Sequence, residues 1–294
     1  MNWKLLAALG ILGAGGIYLL TRPFGALRGL VAMKSRTPAV GLTFWQTSSD
    51  NRDWQPAVEA FDFVTFKTVN GTKVLGNKQW APVYEAAQAA KVPVHTWGYH
   101  NLRTPDEAAR EGVIAAQEAA RLGAVAHWTN AESQWAGGYS GQPGAADPYQ
   151  SMVSFVNAFR TTAPNIRLIF NSTTSWISPR LNRDTDRRIA ALFDAYGPMI
   201  YSSGSAGGSN TMRKKWARGK AIADEIGIPF VPMLGSGRRD KKGQYWTNLG
   251  DLAELQEQAP ADWITFWMAP GYLDRIYAAN DLNPSLADFA VSYG

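Results

Sequence analysis

The sequence predicts an α/β fold, a (β/α)8 TIM barrel preceded by an N-terminal hydrophobic helix. Three observations predict it. From Ala39 onward, short apolar or β-branched runs recur eight times, each followed by a helical pattern. Their starts lie 23 to 42 residues apart, the span of one strand, one helix and two connections. No Gly-rich phosphate loop follows the first run, where an open doubly wound sheet would carry one; WQTSSDNRDW (45–54) stands there instead. A chain of 294 residues with 46% hydrophobic content is long enough to bury such a core.

The leader comes first. Leu5 to Leu20 (LLAALGILGAGGIYLL) is free of charge, with Lys4 before it and Arg22-Pro23 after it. As a helix this run is about 24 Å long, slightly short of a hydrocarbon core of roughly 30 Å. A cleaved signal peptide and a buried helix compete with an anchor. Leu30-Val31-Ala32 is a poor cleavage site, and the run is apolar on all faces, so the expected reading is a membrane-anchor helix over residues 1–22. Residues 23–38 then read as a basic linker ending at Pro38, and residues 39–294 as the barrel.

The eight expected strands are AVGLTFW (39–45), DFVTFKT (62–68), VPVHTWGY (92–99), AVAHWTN (124–130), IRLIFNS (166–172), GPMIYSS (197–203), IPFVPML (228–234) and DWITFWM (262–268). Helix signals sit between them. Thr104-Pro105-Asp106-Glu107 supplies an N-cap, a Pro at the first helical position and a capping-box Glu. Gly123 stops that helix after an apolar stripe at Ala109, Val113, Ala116 and Ala120. Asp147-Pro148-Tyr149-Gln150 repeats the device, and Gly227 closes a helix running from about Asn210.

Composition narrows the chemistry. Lys+Arg number 29 against 24 Asp+Glu, a formal +5. Lys4, Arg22, Arg28, Lys34 and Arg36 precede the first acidic residue, Asp50, so removing those five leaves the remainder balanced at 24 against 24. The basic runs RKKWARGK (213–220) and RRDKK (238–242) lack the aromatic interleaving of a single-strand binder, and no nucleic-acid partner is expected. Cys is absent and only three His occur, so neither a metal site nor a cofactor is expected.

A barrel places its chemistry at the C-terminal ends of its strands. Glu132 follows the fourth strand, and alternation puts Trp128, Asn130 and Glu132 on one side. A carboxyl walled by Trp has a raised pKa, as a general acid at a glycosidic oxygen requires. Six of the twelve Trp (Trp45, Trp97, Trp135, Trp176, Trp246 and Trp267) fall at or beyond strand ends, where a flat ring can stack on a pyranose. Trp54, Trp80, Trp216 and Trp263 read as packing, as does His95. Lys67 ends the second strand and is either a solvated Lys or a contact for an anionic group. Asn171 and Tyr201 are candidate contacts for hydroxyl or acetamide groups.

The segment WGYHN (97–101), followed by a capped helix and then WTNAE (128–132), resembles the glycoside hydrolase family 25 lysozymes, the Chalaropsis-type muramidases. The first strand, GLTFWQ (41–46), is similar to that family's opening strand. The resemblance implies a barrel with a Tyr-His pair, here Tyr99 and His100, ending strand three, and an Asp-x-Glu pair ending strand four. It implies cleavage between N-acetylmuramic acid and N-acetylglucosamine, with the substrate's acetamide as nucleophile and Glu132 as general acid/base. His100 would shape the site by hydrogen bonding; a satisfied structural His is the alternative. Two positions depart from the pattern. Asn130 stands where the family has Asp, keeping a hydrogen bond to the acetamide but forgoing charge stabilisation. Thr43 stands where the first strand has Asp.

Two functions are therefore carried forward. One is a membrane-anchored muramidase acting on peptidoglycan, with Glu132 and Asn130 catalytic and with Thr43, Trp45, Lys67, Trp97, Tyr99, His100, Asn171, Tyr201 and Trp267 binding substrate. Its expected location is a bacterial envelope or a phage particle that pierces one. The other is a barrel that has lost catalysis and binds glycan or serves as part of an assembly.

Overall fold

The computed structural model describes residues 39–44, 54–59, 61–130, 144–172, 183–200, 208–235 and 249–268. Strands β1 (Ala39–Phe44), β2 (Phe63–Asn70), β3 (Lys73–Val74), β4 (Val94–Tyr99), β5 (Ala126–Asn130), β6 (Arg167–Asn171), β7 (Ala195–Tyr196), β8 (Met199–Ile200), β9 (Met233–Gly235) and β10 (Trp263–Met268) form one sheet. Between them lie α1 (Gln55–Glu59), α2 (Ala81–Ala90), α3 (Pro105–Arg121), α4 (Pro148–Thr162), α5 (Arg183–Ala190), α6 (Gly208–Ile226) and α7 (Leu249–Gln258).

Apart from β3, which folds back antiparallel on the end of β2, every pairing among these strands is parallel. The order runs β7-β6-β5-β4-β2-β1-β10-β9-β8. Its two ends are halves of one segment, split at Pro198, which has no N–H to give. Gly197 N–H donates to the Phe170 carbonyl and Met199 N–H to that of Ser172, at 2.8 and 2.7 Å. On the other side Val231 N–H donates to the Tyr196 carbonyl and Met233 N–H to that of Pro198, both at 2.9 Å. The sheet closes. The eight predicted runs become eight barrel strands, each beside its neighbour in sequence.

Alternation along these strands divides the core in two. Phe63, Trp97, Trp128, Ile169, Met199, Val231 and Met233 fill the barrel interior. Val40, Leu42, Phe44, Val64, Phe66, Leu168 and Phe170 face outward to the helices. Large inner rings are matched by absent side chains opposite. A Cβ on Gly41 would lie 2.0 Å from the Phe63 ring, and one on Gly197 would lie 2.7 Å from that of Trp128. Trp54, Trp80 and Trp216 are buried in packing, as expected.

The N-terminal rim carries a device that recurs three times. Asp62, Asp194 and Asp262 each stand one residue before a strand, and each accepts a backbone N–H from the adjoining strand region: Val40 at 2.9 Å, Leu168 at 2.8 Å and Phe230 at 2.8 Å. These N–H groups have no ladder partner at the strand start, and the carboxylates complete them.

The caps are where the sequence puts them. Thr104 Oγ1 accepts from Glu107 N–H at 3.2 Å, and Asp147 Oδ1 accepts from Gln150 N–H at 3.0 Å. Gly123 and Gly227 end α3 and α6 with φ of +62° and +80°. The buried face of α3 differs from the expected stripe. It comprises Ala108, Glu111, Gly112, Ala115, Ala116 and Ala119, whereas Ala120 is exposed. Apolar periodicity overlooked Glu111, which has its own partner inside the protein, and the face is rotated accordingly.

The hydrophobic helix expected over residues 5–20 lies outside the described residues. Among those described, no helix is long and apolar enough to cross a membrane. Even α6, at 19 residues, carries Arg213, Lys214, Lys215, Arg218 and Lys220. The membrane-anchored location drawn from the leader is corrected accordingly.

Candidate functional site

The C-terminal ends of β4, β5 and β6 bring three polar side chains into one row. Tyr99 is in register with Asn130, and Asn130 with Asn171. All three share the inward parity of Trp97, Trp128 and Ile169, so they project into the barrel mouth. Asn171 is fixed: its Nδ2 donates to the Gly197 carbonyl at 2.6 Å and faces the Met233 sulfur at 3.9 Å. Asn130 and Asn171 are buried, and Tyr99 is half-buried.

Beside this row, β2 bulges between Lys67 and Val69. The bulge sends Val69 into the outer core and leaves Lys67 in register with Trp97. The Lys67 ammonium stands 4.9 Å from the Trp97 ring centroid and 5.4 Å from that of Tyr99, and donates to Asn70 Oδ1 at 3.2 Å. This is a cation held over two aromatic faces. Among the described inward-facing residues at the strand ends, it is the charged one.

Across the barrel, Trp267 of β10 is in register with Thr43 of β1 and is half-buried. Thr43 is fully buried, with its hydroxyl 2.7 Å from that of Thr265. Thr43 thus ties β1 to β10 within the barrel instead of lining an open mouth. Trp97 also departs from its expected role. It is buried, and its ring N–H donates to the Phe44 carbonyl at 2.8 Å, so its ring supports Lys67 from below and offers no open stacking face.

His100 is the clearest correction. It follows the last residue of β4 with outward parity, and its ring lies behind the barrel wall. There Nδ1 is 3.2 Å from Glu111 Oε2, and Nε2 is 3.3 Å from His127 Nε2. It serves the wall and does not reach into the mouth. Sequence reasoning also missed Glu111 and His127, because a lone Glu on an amphipathic helix and a His in a strand carry no local signal of pairing. His95 packs as expected, stacked on Phe63 at 4.2 Å on the barrel floor. Trp45, Glu132 and Tyr201 lie outside the described residues.

The floor also holds open space. Cavities of about 350 and 390 Å3 are lined by Arg167 and Trp263 together with His95, Asp62, Asp194 and Asp262. They open at the N-terminal end of the strands, the end that serves stability in barrels of this kind. Among the described residues, no group of His, Asp and Glu is placed to hold a metal ion.

This architecture is shared with solved structures. A chitinase from Bacteroides thetaiotaomicron superposes with a TM-score of 0.60 at 9% identity, over 87% of this chain and 96% of that one. The spore cortex-lytic enzyme SleL of Bacillus cereus gives 0.60 at 9% identity, over 86% and 74%. A xylanase-A-amylase inhibitor protein gives 0.54 at 11% identity, over 87% and 99%. What they share with this chain is the fold. No protein-family model and no curated protein matches the chain. The similarity to family 25 therefore rests on the short motifs alone, and the fold is common to enzymes and to an inhibitor.

Proposed function

We propose that this chain is a glycan-degrading hydrolase of the muramidase type that acts on peptidoglycan, with Glu132 as general acid/base. The observation that carries the reading is the row Tyr99, Asn130 and Asn171 at the ends of three adjacent strands, flanked by Lys67. Two amides and a phenol suit the acetamide and hydroxyl groups of N-acetylated sugars. Glu132 follows Asn130 by two positions in the chain. In the reaction, Glu132 protonates the glycosidic oxygen as the acetamide carbonyl of the substrate attacks the anomeric carbon. The same Glu then takes a proton from the water that opens the oxazolinium intermediate. The Asn130 side chain holds the acetamide N–H through its carbonyl oxygen.

A second reading, a barrel that binds glycan without cleaving it, draws on Asn130 in place of the family's Asp and on Thr43 being committed to Thr265.

One assay separates them. The full chain and its Glu132→Gln variant are incubated with peptidoglycan, and reducing ends are measured. The hydrolase reading expects release by the wild type and a fall of about 100-fold or more in the variant, the scale of a lost general acid. Equal release by both proteins overturns the role of Glu132. Glycan binding by both with release by neither overturns the hydrolase reading in favour of the second.

A further inference from the structure

Behind the mouth, on the helix side of β4 and β5, four buried polar side chains stand in a line. Thr96 Oγ1 lies 2.9 Å from His127 Nδ1, His127 Nε2 lies 3.3 Å from His100 Nε2, and His100 Nδ1 lies 3.2 Å from Glu111 Oε2. None of the four is exposed to solvent. Helix α4 seals them with apolar rings, Phe155 at 4.6 Å from His100 and Phe159 at 5.3 Å from His127. The seal is close because residue 112 of α3 is Gly; a Cβ there would lie 2.4 Å from the Phe155 carbonyl oxygen. Space for the His100 ring depends on Gly98 in the same way, since a Cβ there would lie 2.6 Å from its Nε2.

Hydrogen-bonding rules assign a direction to this line. A carboxylate only accepts, so His100 Nδ1 carries a proton and donates a hydrogen bond to Glu111. In a neutral His100 the other nitrogen, Nε2, is then an acceptor. His127 must supply the proton of the 3.3 Å contact from its Nε2, which leaves its Nδ1 to accept from the Thr96 hydroxyl. Burial, and after it the neighbouring His100, holds the pKa of His127 well below 6.5, in keeping with a neutral ring. Facing the imidazoles are Glu111 from α3, Thr96 from β4 and the two Phe rings from α4. Glu111 is the acidic group among them.

The line also has an output. Glu111 accepts the backbone N–H of Asn101 at 3.1 Å, and the backbone N–H of His100 donates to the carbonyl of Asn130 at 3.1 Å. We propose that Glu111 is a positioning residue for the mouth: through His100 and Asn101 it pins the chain as it leaves β4, and through His100 it fixes where Tyr99 and Asn130 stand. The ordered proton direction makes this a lock with one low-energy setting, because reversing either imidazole leaves two donors or two acceptors facing each other. The inference rests on reading this mouth as the site of glycan chemistry, but its test does not depend on activity.

The test is nitrogen NMR of the histidine side chains in the full chain at about pH 7, where an ordinary His is mostly neutral. The expected spectrum shows His100 protonated at Nδ1 and His127 protonated at Nε2. In Glu111→Gln, the amide offers one acceptor where the carboxylate offered two. The two tautomers then mix, and the resonances of Tyr99 and Asn130 shift while those of β1 hold. If peptidoglycan hydrolysis is present, kcat falls about 10-fold with KM changed less than about 2-fold, as a displaced catalytic geometry requires. A wild-type His127 protonated at Nδ1 overturns the assigned direction whether or not any variant folds. Unchanged tautomers and unchanged Tyr99 and Asn130 resonances in Glu111→Gln overturn the positioning role. A wild type without hydrolase activity overturns only the functional reading.

Discussion

Under the proposed function, Lys67 is the residue that would separate two glycan classes. A neutral chitin-type chain offers hydroxyl and acetamide groups, the groups that the proposed function assigns to Tyr99, Asn130 and Asn171. A muramic-acid polymer adds a lactyl or peptide carboxylate, which the proposed function assigns to the ammonium held over Trp97 and Tyr99. Lys67→Met keeps the apolar stem and removes the charge. Its affinity for a muramic-acid oligosaccharide is expected to fall about 10-fold, the worth of one charge-assisted hydrogen bond in a half-open site. Affinity for a chitin oligosaccharide of equal length is expected to change less than about 2-fold. Titration calorimetry of both ligands checks this, and equal losses for the two would mean that Lys67 only packs. The sequence read Lys67 as ending the second strand, which in fact runs on to Asn70, and left its role open, because the β2 bulge that aims it over the rings is set by register with β4 and leaves no local signature. His100 was misplaced for a related reason. A motif gives order along the chain, and one step of parity decides which side of a wall a ring occupies.

Among elements, the barrel's N-terminal rim depends on carboxylates more than on surface ion pairs. Asp194 does both jobs: Oδ2 accepts the Leu168 N–H at 2.8 Å, while Oδ1 meets Arg160 at 2.9 Å in a largely exposed pair. The first contact completes a backbone group at the start of a buried strand, and losing its partner costs about 1–3 kcal/mol. The second, screened by solvent, contributes about 0–1 kcal/mol. Asp194→Ala is therefore expected to lower Tm by roughly 2–6 °C, and Arg160→Ala by about 2 °C or less, in a thermal melt monitored by circular dichroism. Equal shifts would show that the ion pair carries the effect. At this scale the sequence was informative. Thr104, Asp147, Gly123 and Gly227 act through local backbone geometry, so α3, α4 and the end of α6 could be placed from neighbours alone. The aspartate clamps could not, because each bonds a residue 22 to 32 positions away. The same is true of the β7–β8 break, where only closure of the whole sheet shows that two short strands are one.

At the scale of the whole molecule, the closed barrel buries all three histidines. His95 sits on the barrel floor, stacked on Phe63, with Nδ1 accepting the Trp128 ring N–H at 3.2 Å. Burial, helped by the positive charge of Arg167, lowers its pKa from 6.5 to about 3. His127 in the wall is lowered too, by burial and then by His100. Both rings are neutral in the folded chain and must take up protons on unfolding in mild acid. The sign follows from linkage: below about pH 6.5 the unfolded state binds more protons, so stability rises with pH through this window and is lost as pH falls toward 3. Each such histidine contributes at most about one proton, or about 1.4 kcal/mol per pH unit. His95→Gln keeps an acceptor for Trp128 and removes the titration. Urea unfolding at a series of pH values from about 7.5 to 5 is expected to show a stability slope in His95→Gln that is shallower than the wild type's by up to about 1.4 kcal/mol per pH unit. Stability at the upper end of the range should differ less between the two, because there the native and unfolded states both hold the ring neutral. Parallel slopes would mean that His95 is protonated in the folded barrel, which its contact with the Trp128 donor and its place beside Arg167 oppose.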